Sequence, residues 1–173
     1  MAGQANEQLA LSMGSMRATT STQEALNRLL AIHYRSFPMY LVWATPYRRA
    51  EDEHALKTIQ HVVDDQKALS ARIVELVTDR NWRVDYGDFP ITFTGSHDLA
   101  LDFLVRRLVQ WQKGTVTAIQ ECYDALADDP VAQGLADECL GTAKGHLETL
   151  EELQQGKRPP GEIKLHESAA ESH

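Results

Sequence analysis

The feature that most constrains this chain is a seam of apolar residues, spaced by three and four, that one amide interrupts. The seam consists of Ile59, Val62, Gln66, Leu69, Ile73 and Leu76. Residues at these spacings lie on one face of an α-helix, so the seam predicts a long helix that buries one stripe. The amide stands near the middle of the stripe. It predicts a polar point inside an otherwise apolar helical core.

Three other segments have the same pattern of a long apolar seam with one polar interruption. The interruptions are His33, Gln112 and His146. A capping box formed by Ser21 and Glu24 predicts the start of the first helix, because the two side chains satisfy free backbone donors there. Pro38 predicts a kink in that helix one turn after the histidine, since proline removes a backbone hydrogen bond. The chain therefore has four predicted helices.

The connection between the second and third predicted helices is long. It covers about 16 residues from Asn81, contains Gly87, Pro90 and Gly95, and has no helical period. Sixteen extended residues reach roughly 50 Å, whereas a helix of about 28 residues is about 42 Å long. The connection is thus long enough to run the length of a bundle. We predict an all-α four-helix bundle, built from two antiparallel hairpins joined by a long crossover between helices 2 and 3.

These elements predict one domain. Residues 21–155 form the bundle, and residues 1–20 and 156–173 are expected to be a flexible N-terminal arm and a flexible C-terminal tail, because both are polar and have no core pattern. The chain has 173 residues, of which 43% are hydrophobic and 24% charged. This composition is typical of a globular protein with a single core.

Charge and cysteine content exclude several classes of protein. Seventeen Lys and Arg against 25 Asp and Glu give a net charge of −8, which repels nucleic acid and anionic membranes. The sequence also has no apolar run of membrane-spanning length and no signal-peptide pattern. Cys122 and Cys139 lie in apolar seams without metal-ligand spacing, as buried reduced thiols do. We therefore expect a cytoplasmic protein that binds neither nucleic acid nor membrane.

The four polar interruptions are predicted to share one central layer, each from a different helix. Gln66 lies 14 residues after Asp52, and Gln112 lies 15 residues after His97, so the two amides are at similar distances from the starts of their helices. Within each predicted hairpin, the histidine and the glutamine are about equally far from the turn.

At this point the chain resembles the ferritin-like superfamily, including the rubrerythrin-type domains, over about residues 21–155. The helix and connection lengths carry the resemblance, together with the runs VVDDQKALSARIVEL and GTAKGHLETLEEL. Active members hold two metals through one Glu from each of two helices and Glu-x-x-His from each of the other two. The resemblance places these six ligand positions on His33, Gln112, Gln66, Leu69, Ala143 and His146. Only His146 has the family's ligand type, so the implied di-iron site is degenerate.

The chemistry of the layer disfavours di-iron oxidation. Two buried irons need bridging carboxylates to neutralise them, and two imidazoles with two amides bring no negative charge. Asp65 flanks the seam, but one carboxylate does not replace four. We expect a non-catalytic binding or structural protein with no cofactor, in which the two histidines and two glutamines hydrogen-bond one another and fix the register of the helices.

Two alternatives stay open. In the first, His33 and His146 bind one Zn, Cu or Ni ion, with Gln66, Gln112 and Asp65 as neighbours and water completing the shell. In the second, a pocket at the polar layer binds a small molecule.

His61 and Asp65 are a further candidate pair. They lie four residues apart on one face of the second predicted helix, where they could be two metal ligands or an acid–base pair. Because that face is on the solvent side of the seam, a surface hydrogen bond is the preferred interpretation.

Aromatic residues and glycines complete the predictions. Four aromatic residues are expected to pin the crossover to the bundle, since a loop of this length needs anchors. They are Trp82, Tyr86, Phe89 and Phe93. Trp43, one step off the first seam, and the aromatic residues of the crossover predict a homodimer, together with the family's habit of pairing bundles. Gly141 and Gly145 are expected to make room for a bulky neighbour such as Trp111.

Overall fold

The computed structural model describes residues 19, 21–44, 53–94 and 101–156. Helix α1 covers 21–34. It is followed by α2 (Phe37–Ala44), α3 (Glu53–Asp79), α4 (Leu101–Ala125) and α5 (Pro130–Gln154), with one short 3₁₀ helix (Ile91–Phe93) between α3 and α4. No strand occurs in these ranges, which confirms the predicted all-α class. None of the helices in this part of the chain is long and apolar enough to cross a membrane.

The first predicted helix is divided in two at Arg35 and Ser36. The Ser36 hydroxyl accepts a hydrogen bond from the backbone N–H of Met39 at 3.2 Å, so Ser36 is the N-cap of α2. Pro38 occupies the first turn of α2, where its missing N–H is not needed. The kink predicted from Pro38 is therefore present in a stronger form, as a break between two helices.

The predicted ends of the chain and of two helices lie mostly outside the described ranges. The predicted arm 1–20 and tail 156–173 lie outside the described residues, except for Thr19 and Gly156. The predicted start of the third helix and the side chain of Trp43 also lie outside them. Ser21 is itself helical, as is Thr19. The capping box predicted at Ser21 therefore does not mark the start of the helix, because an N-cap residue has non-helical backbone.

Helix α5 contacts both α3 and α4 at several levels. Its contacts with α3 are Arg72–Glu138 and Asp65–His146, and Arg80–Asp129 joins the residue after α3 to the N-cap of α5. Its contacts with α4 are Tyr123–Gln133, Gln112–Ala143 and Lys113–Glu151. As the residue number rises along α5, the partner's number falls from Arg80 to Asp65 on the α3 side, and from Tyr123 to Gln112 and Lys113 on the α4 side.

Residues 81–94 lie against α1 and α2. The Asn27 amide donates to the carbonyl of Arg83 at 2.9 Å, and the Arg35 guanidinium donates to the carbonyl of Gly87 at 2.9 Å. Ring centroids are 4.6 Å apart in Tyr34–Tyr86, 5.7 Å in Tyr40–Phe89 and 4.9 Å in Phe37–Phe93. Trp82 packs against the core beneath Arg80. The prediction that aromatic residues pin this connection is confirmed.

Glycines have different roles at two places in the bundle. Gly87 has φ +61°, and a Cβ there would lie 2.9 Å from the Cβ of Ala31, so the close approach of the connection to α1 requires glycine. A Cβ at Gly141 or Gly145 would meet nothing within 4 Å, and both residues are exposed. The predicted accommodation of Trp111 is therefore wrong.

The apolar core consists of two clusters. The first contains Leu26, Leu30, Leu69, Ile73, Ile119, Leu126, Ala136 and Ala143, with further small and branched side chains. The second contains Phe37, Leu41, Ile59, Leu104, Leu108 and Leu150 among others. In each of the four seams, the polar interruption lies between residues of the first cluster and residues of the second. The polar layer thus separates two apolar halves of one core.

Candidate functional site

The polar layer is fully buried. Its four predicted members are 0 to 7% exposed: His33 2%, Gln66 1%, Gln112 0% and His146 7%. Ser36, which is 0% exposed, also belongs to the layer and was missed by the sequence analysis. The signal that would have found it is a serine two residues before Pro38, the pattern of a helix that starts anew.

Gln66 is held by Ser36. The Ser36 hydroxyl donates to Gln66 Oε1 at 2.6 Å and at the same time accepts the backbone N–H of Met39. Because Ser36 caps α2, this pair joins the middle of α3 to the start of α2. The amide oxygen of Gln66 is therefore used for a structural contact.

Gln112 joins α4 to α5. Its Nε2 donates to the backbone carbonyl of Ala143 at 2.9 Å, one turn before His146. Its Oε1 is buried and has no hydrogen-bond partner in the described part of the protein. Gln112 thus combines a structural contact with an unused acceptor.

Asp65 lies between a buried and an exposed imidazole. Its Oδ2 is 2.8 Å from His146 Nε2 and 3.8 Å from His61 Nε2. The side chains of His146, Asp65 and His61 are 9%, 39% and 76% exposed. The surface hydrogen bond predicted between His61 and Asp65 is therefore wrong, because their nearest polar atoms are 3.8 Å apart, and Asp65 bonds His146 of the layer instead.

The contact with Asp65 also fixes the tautomer of His146. An ionised carboxylate only accepts hydrogen bonds, so Nε2 of a neutral His146 carries the proton. The lone pair of the ring is then on Nδ1. A carboxylate that orients a histidine in this way is a common companion of a metal-binding imidazole.

His33 has no hydrogen bond at either ring nitrogen within the described part of the chain. Burial, and to a smaller extent the nearby His146, lowers its pKa to about 4. The ring is therefore neutral at pH 7, with a free lone pair. A buried polar group without a partner costs about 1–3 kcal/mol. Since the ring is 2% exposed, His33 carries this cost in the centre of the core.

The four layer residues do not hydrogen-bond one another. In the part of the chain that the structure describes, each glutamine bonds a nearer partner, His146 bonds Asp65, and His33 bonds none. The predicted mutual network is therefore absent there, because a hydroxyl and a backbone carbonyl satisfy the amides locally. Three residues of the layer thus join neighbouring helices, and His33 has no such contact among the described residues.

The described residues do not fit the di-iron centre that the resemblance implies. Of the carboxylates described, Asp65 is the one bonded to a layer residue, and it contacts the layer from the outside. No three His, Cys, Asp or Glu side chains in the described ranges are grouped so that they could hold a metal ion. Bridging carboxylates, which two buried irons require, are thus missing from the donor set.

Two features of the molecule lie apart from this layer. Cys122 and Cys139 are free and buried in the first cluster, as expected, and burial raises their pKa values to about 11 and about 12. A surface groove of about 390 Å³ lies between α1 and the connection, lined by polar residues that include Asn27, Arg28 and Asp85. None of its lining residues belongs to the layer, so a small-molecule pocket at the layer stays a prediction.

The layer contains both nitrogen and oxygen donor atoms. Its described residues offer two imidazoles, one amide oxygen without a hydrogen-bond partner among them, and one carboxylate at the solvent side. Comparison with known proteins assigns the chain to no family. No model of a known protein family matches it, and no curated protein matches it significantly.

Proposed function

We propose that this protein is a non-catalytic, ferritin-like helical bundle that binds a single divalent transition metal ion between His33 and His146. The observation that carries the proposal is the His33 ring, which is 2% exposed and has no hydrogen-bond partner at either nitrogen among the described residues. Imidazole suits Zn²⁺, Cu²⁺ and Ni²⁺. Water and the free oxygen of Gln112 would complete the coordination shell.

Contacts between helices support a ferritin-like arrangement. Because residue numbers run in opposite directions in the α3–α5 and α4–α5 contacts, α5 is antiparallel to both helices. Helices α3 and α4 would then be parallel, as a crossover requires. The connection contacts Asn27, then Arg35, then Phe37 as it proceeds. This order supports a crossover that runs along α1 and then α2.

Asp65 supplies the charge that two imidazoles lack. Placing a divalent ion in a core costs a large solvation energy unless negative charge is near. The Asp65 carboxylate is bonded to one of the two proposed ligands and remains partly in water. It would neutralise half of the ion's charge and hold the His146 ring in position.

The experiment is a metal analysis of untagged protein purified without chelator, followed by calorimetric titration with Zn²⁺, Cu²⁺ and Ni²⁺. We expect one ion per chain. The double variant His33→Ala, His146→Ala should lose this binding, because both ligands are removed. His54→Ala is the matched control, since it removes an imidazole from the first turn of α3, away from the layer.

Two outcomes would contradict the proposal. Equal binding by the double variant would place the ion elsewhere. Two irons per chain with oxygen-dependent oxidation of Fe²⁺ would indicate that further carboxylates reach the layer.

A structural role for the layer is the second candidate function, and the glutamine contacts favour it. Ser36–Gln66 and Gln112–Ala143 each join two helices through buried hydrogen bonds. If this is the whole role of the layer, the histidine double variant would lose stability without any change in metal content.

Self-association stays a prediction. The aromatic residues of the connection pack within the chain, which removes part of its motivation. Light scattering at high concentration would contradict it by giving the mass of one 19.4 kDa chain.

A further inference from the structure

We propose that His61 and Asp65 form a loading site on the surface of α3, through which a divalent metal ion reaches His146 and His33. This inference rests on the proposed metal-binding function. It adds a route and a second, transient site to the buried one.

Exposure falls steadily along this row of side chains. His61 is 76% exposed, Asp65 is 39% exposed, and the side chain of His146 is 9% exposed. His33, which belongs to the same buried layer as His146, is 2% exposed. These four side chains therefore form a row that leads from bulk water to the centre of the core.

One carboxylate oxygen serves both histidines. Asp65 Oδ2 lies 3.8 Å from His61 Nε2 and 2.8 Å from His146 Nε2. An ion that arrives from water can be bound first by this oxygen and the exposed imidazole, which keep most of its water shell in place. The same oxygen already contacts the inner imidazole. Because this contact uses the protonated Nε2 of His146, transfer requires the ring to rotate until its Nδ1 lone pair meets the ion.

Other routes to the layer are less favourable. Along the bundle axis, the layer lies between the two apolar clusters, whose members Leu30 and Leu108 are 0% exposed. A hydrated ion would have to cross one of them, at a large cost in solvation energy. The contact between α3 and α5 at Asp65 is polar, and the Asp65 side chain is 39% exposed. It is therefore the side from which an ion is expected to reach the layer.

The test is stopped-flow uptake of Zn²⁺ from a weak chromophoric chelator, measured with His61→Ala. His61 is largely exposed, so this variant is expected to fold. A residue that only handles the ion in transit changes the uptake and release rates equally. We expect both rates to fall about tenfold, the lower end of the range for charged steering sites, with one ion per chain and an unchanged Kd.

Two variants serve as matched controls. His54→Ala removes another imidazole of α3, and Asp64→Asn removes a neighbouring charge that accepts a hydrogen bond from Gln60. Both should keep the wild-type rates.

Three results would overturn the loading site. Unchanged rates in His61→Ala would show that the ion enters elsewhere. A raised Kd with an unchanged uptake rate would make His61 a permanent ligand. Absence of Zn²⁺ uptake by the wild-type chain would overturn the proposed function as well, and is thereby distinguished from the first two results.

Discussion

At the scale of single residues, His33 is the side chain whose environment is least expected for its chemistry. An imidazole can donate one hydrogen bond and accept another, yet this ring makes neither in the described part of the protein. The first cluster lies on one side of it along the chain and Phe37 of the second cluster on the other. The ring is consequently held in its neutral form, which is the form that binds metal ions.

This neutral ring predicts a pH dependence of stability in the metal-free protein. The folded pKa of about 4 lies below the ordinary value of 6.5, so the unfolded chain binds the proton first as the pH falls. Stability should therefore decrease from about pH 6.5 to about pH 4, by roughly 3 kcal/mol in total from this group. Above pH 6.5 the group should contribute no pH dependence.

Urea unfolding of wild type and His33→Leu at pH 7, 6, 5 and 4.5 would measure this effect as the difference between their pH profiles. His54→Ala should keep the wild-type profile. Parallel profiles for wild type and His33→Leu would show that the ring is protonated as easily in the folded state as in the unfolded chain.

The sequence predicted which residues of the layer are polar, but it did not predict their partners. A seam interruption identifies Gln66 and His146 because helical spacing is regular. The partner of Gln66 is Ser36, whose position depends on a helix break. The partner of His146 is Asp65, which helical spacing alone places beside the seam. Contacts that depend on small rotations of neighbouring helices leave no periodic pattern in a sequence.

At the scale of helices and connections, the glycines offer a direct test. Gly141 and Gly145 are exposed inside α5, and a Cβ would meet open space at both. Alanine reduces the entropy of the unfolded chain and favours the helix. Each Gly→Ala change should therefore stabilise the protein by about 0.5–1 kcal/mol, as measured by denaturant unfolding.

Gly87→Ala is the matched opposite. Its φ of +61° and the 2.9 Å approach to Ala31 leave no room for a side chain, so this change should destabilise the protein by about 1 kcal/mol or more. Destabilisation by the two α5 changes would indicate that this face of α5 is covered in solution. A neutral Gly87→Ala would show that the connection is free to move away from α1.

Helix existence was easier to predict than helix boundaries. The seams of α3, α4 and α5 extend over many turns, so local exceptions do not obscure them. The break between α1 and α2 depends on Ser36 and Pro38 together, whereas the predicted kink rested on the proline alone. The capping box at Ser21 does not mark the start of the helix, because the same residue pattern can also occur inside a helix that continues through it.

At the scale of the whole molecule, the layer divides the core into two apolar clusters, and the contacts of Asp65, Gln66 and Gln112 cross between helices at this level. The division could be predicted because every seam has one interruption near its middle. The identity of a ligand could not be predicted in the same way, since it depends on which nitrogens and oxygens remain unpaired after the helices pack.

Metal binding at this level should stabilise the whole fold, because its ligands come from the first and last helical segments of the core. A ligand that binds the folded state alone stabilises it by about 2.7 kcal/mol at a free concentration one hundred times its Kd. For a chain of this size each kcal/mol raises Tm by about 2–4 °C. Saturating Zn²⁺ should therefore raise the Tm of the chelator-treated protein by about 5–10 °C.

The same scan separates the proposed site from non-specific binding. His33→Ala, His146→Ala should lose the increase in Tm, whereas His54→Ala should keep it. His61→Ala should also keep it, because a loading residue changes the rates of binding and leaves the equilibrium unaltered. A Tm that stays constant or falls in saturating Zn²⁺ would contradict binding to the folded state, and would leave the layer with the structural role that Ser36, Gln66 and Gln112 already support.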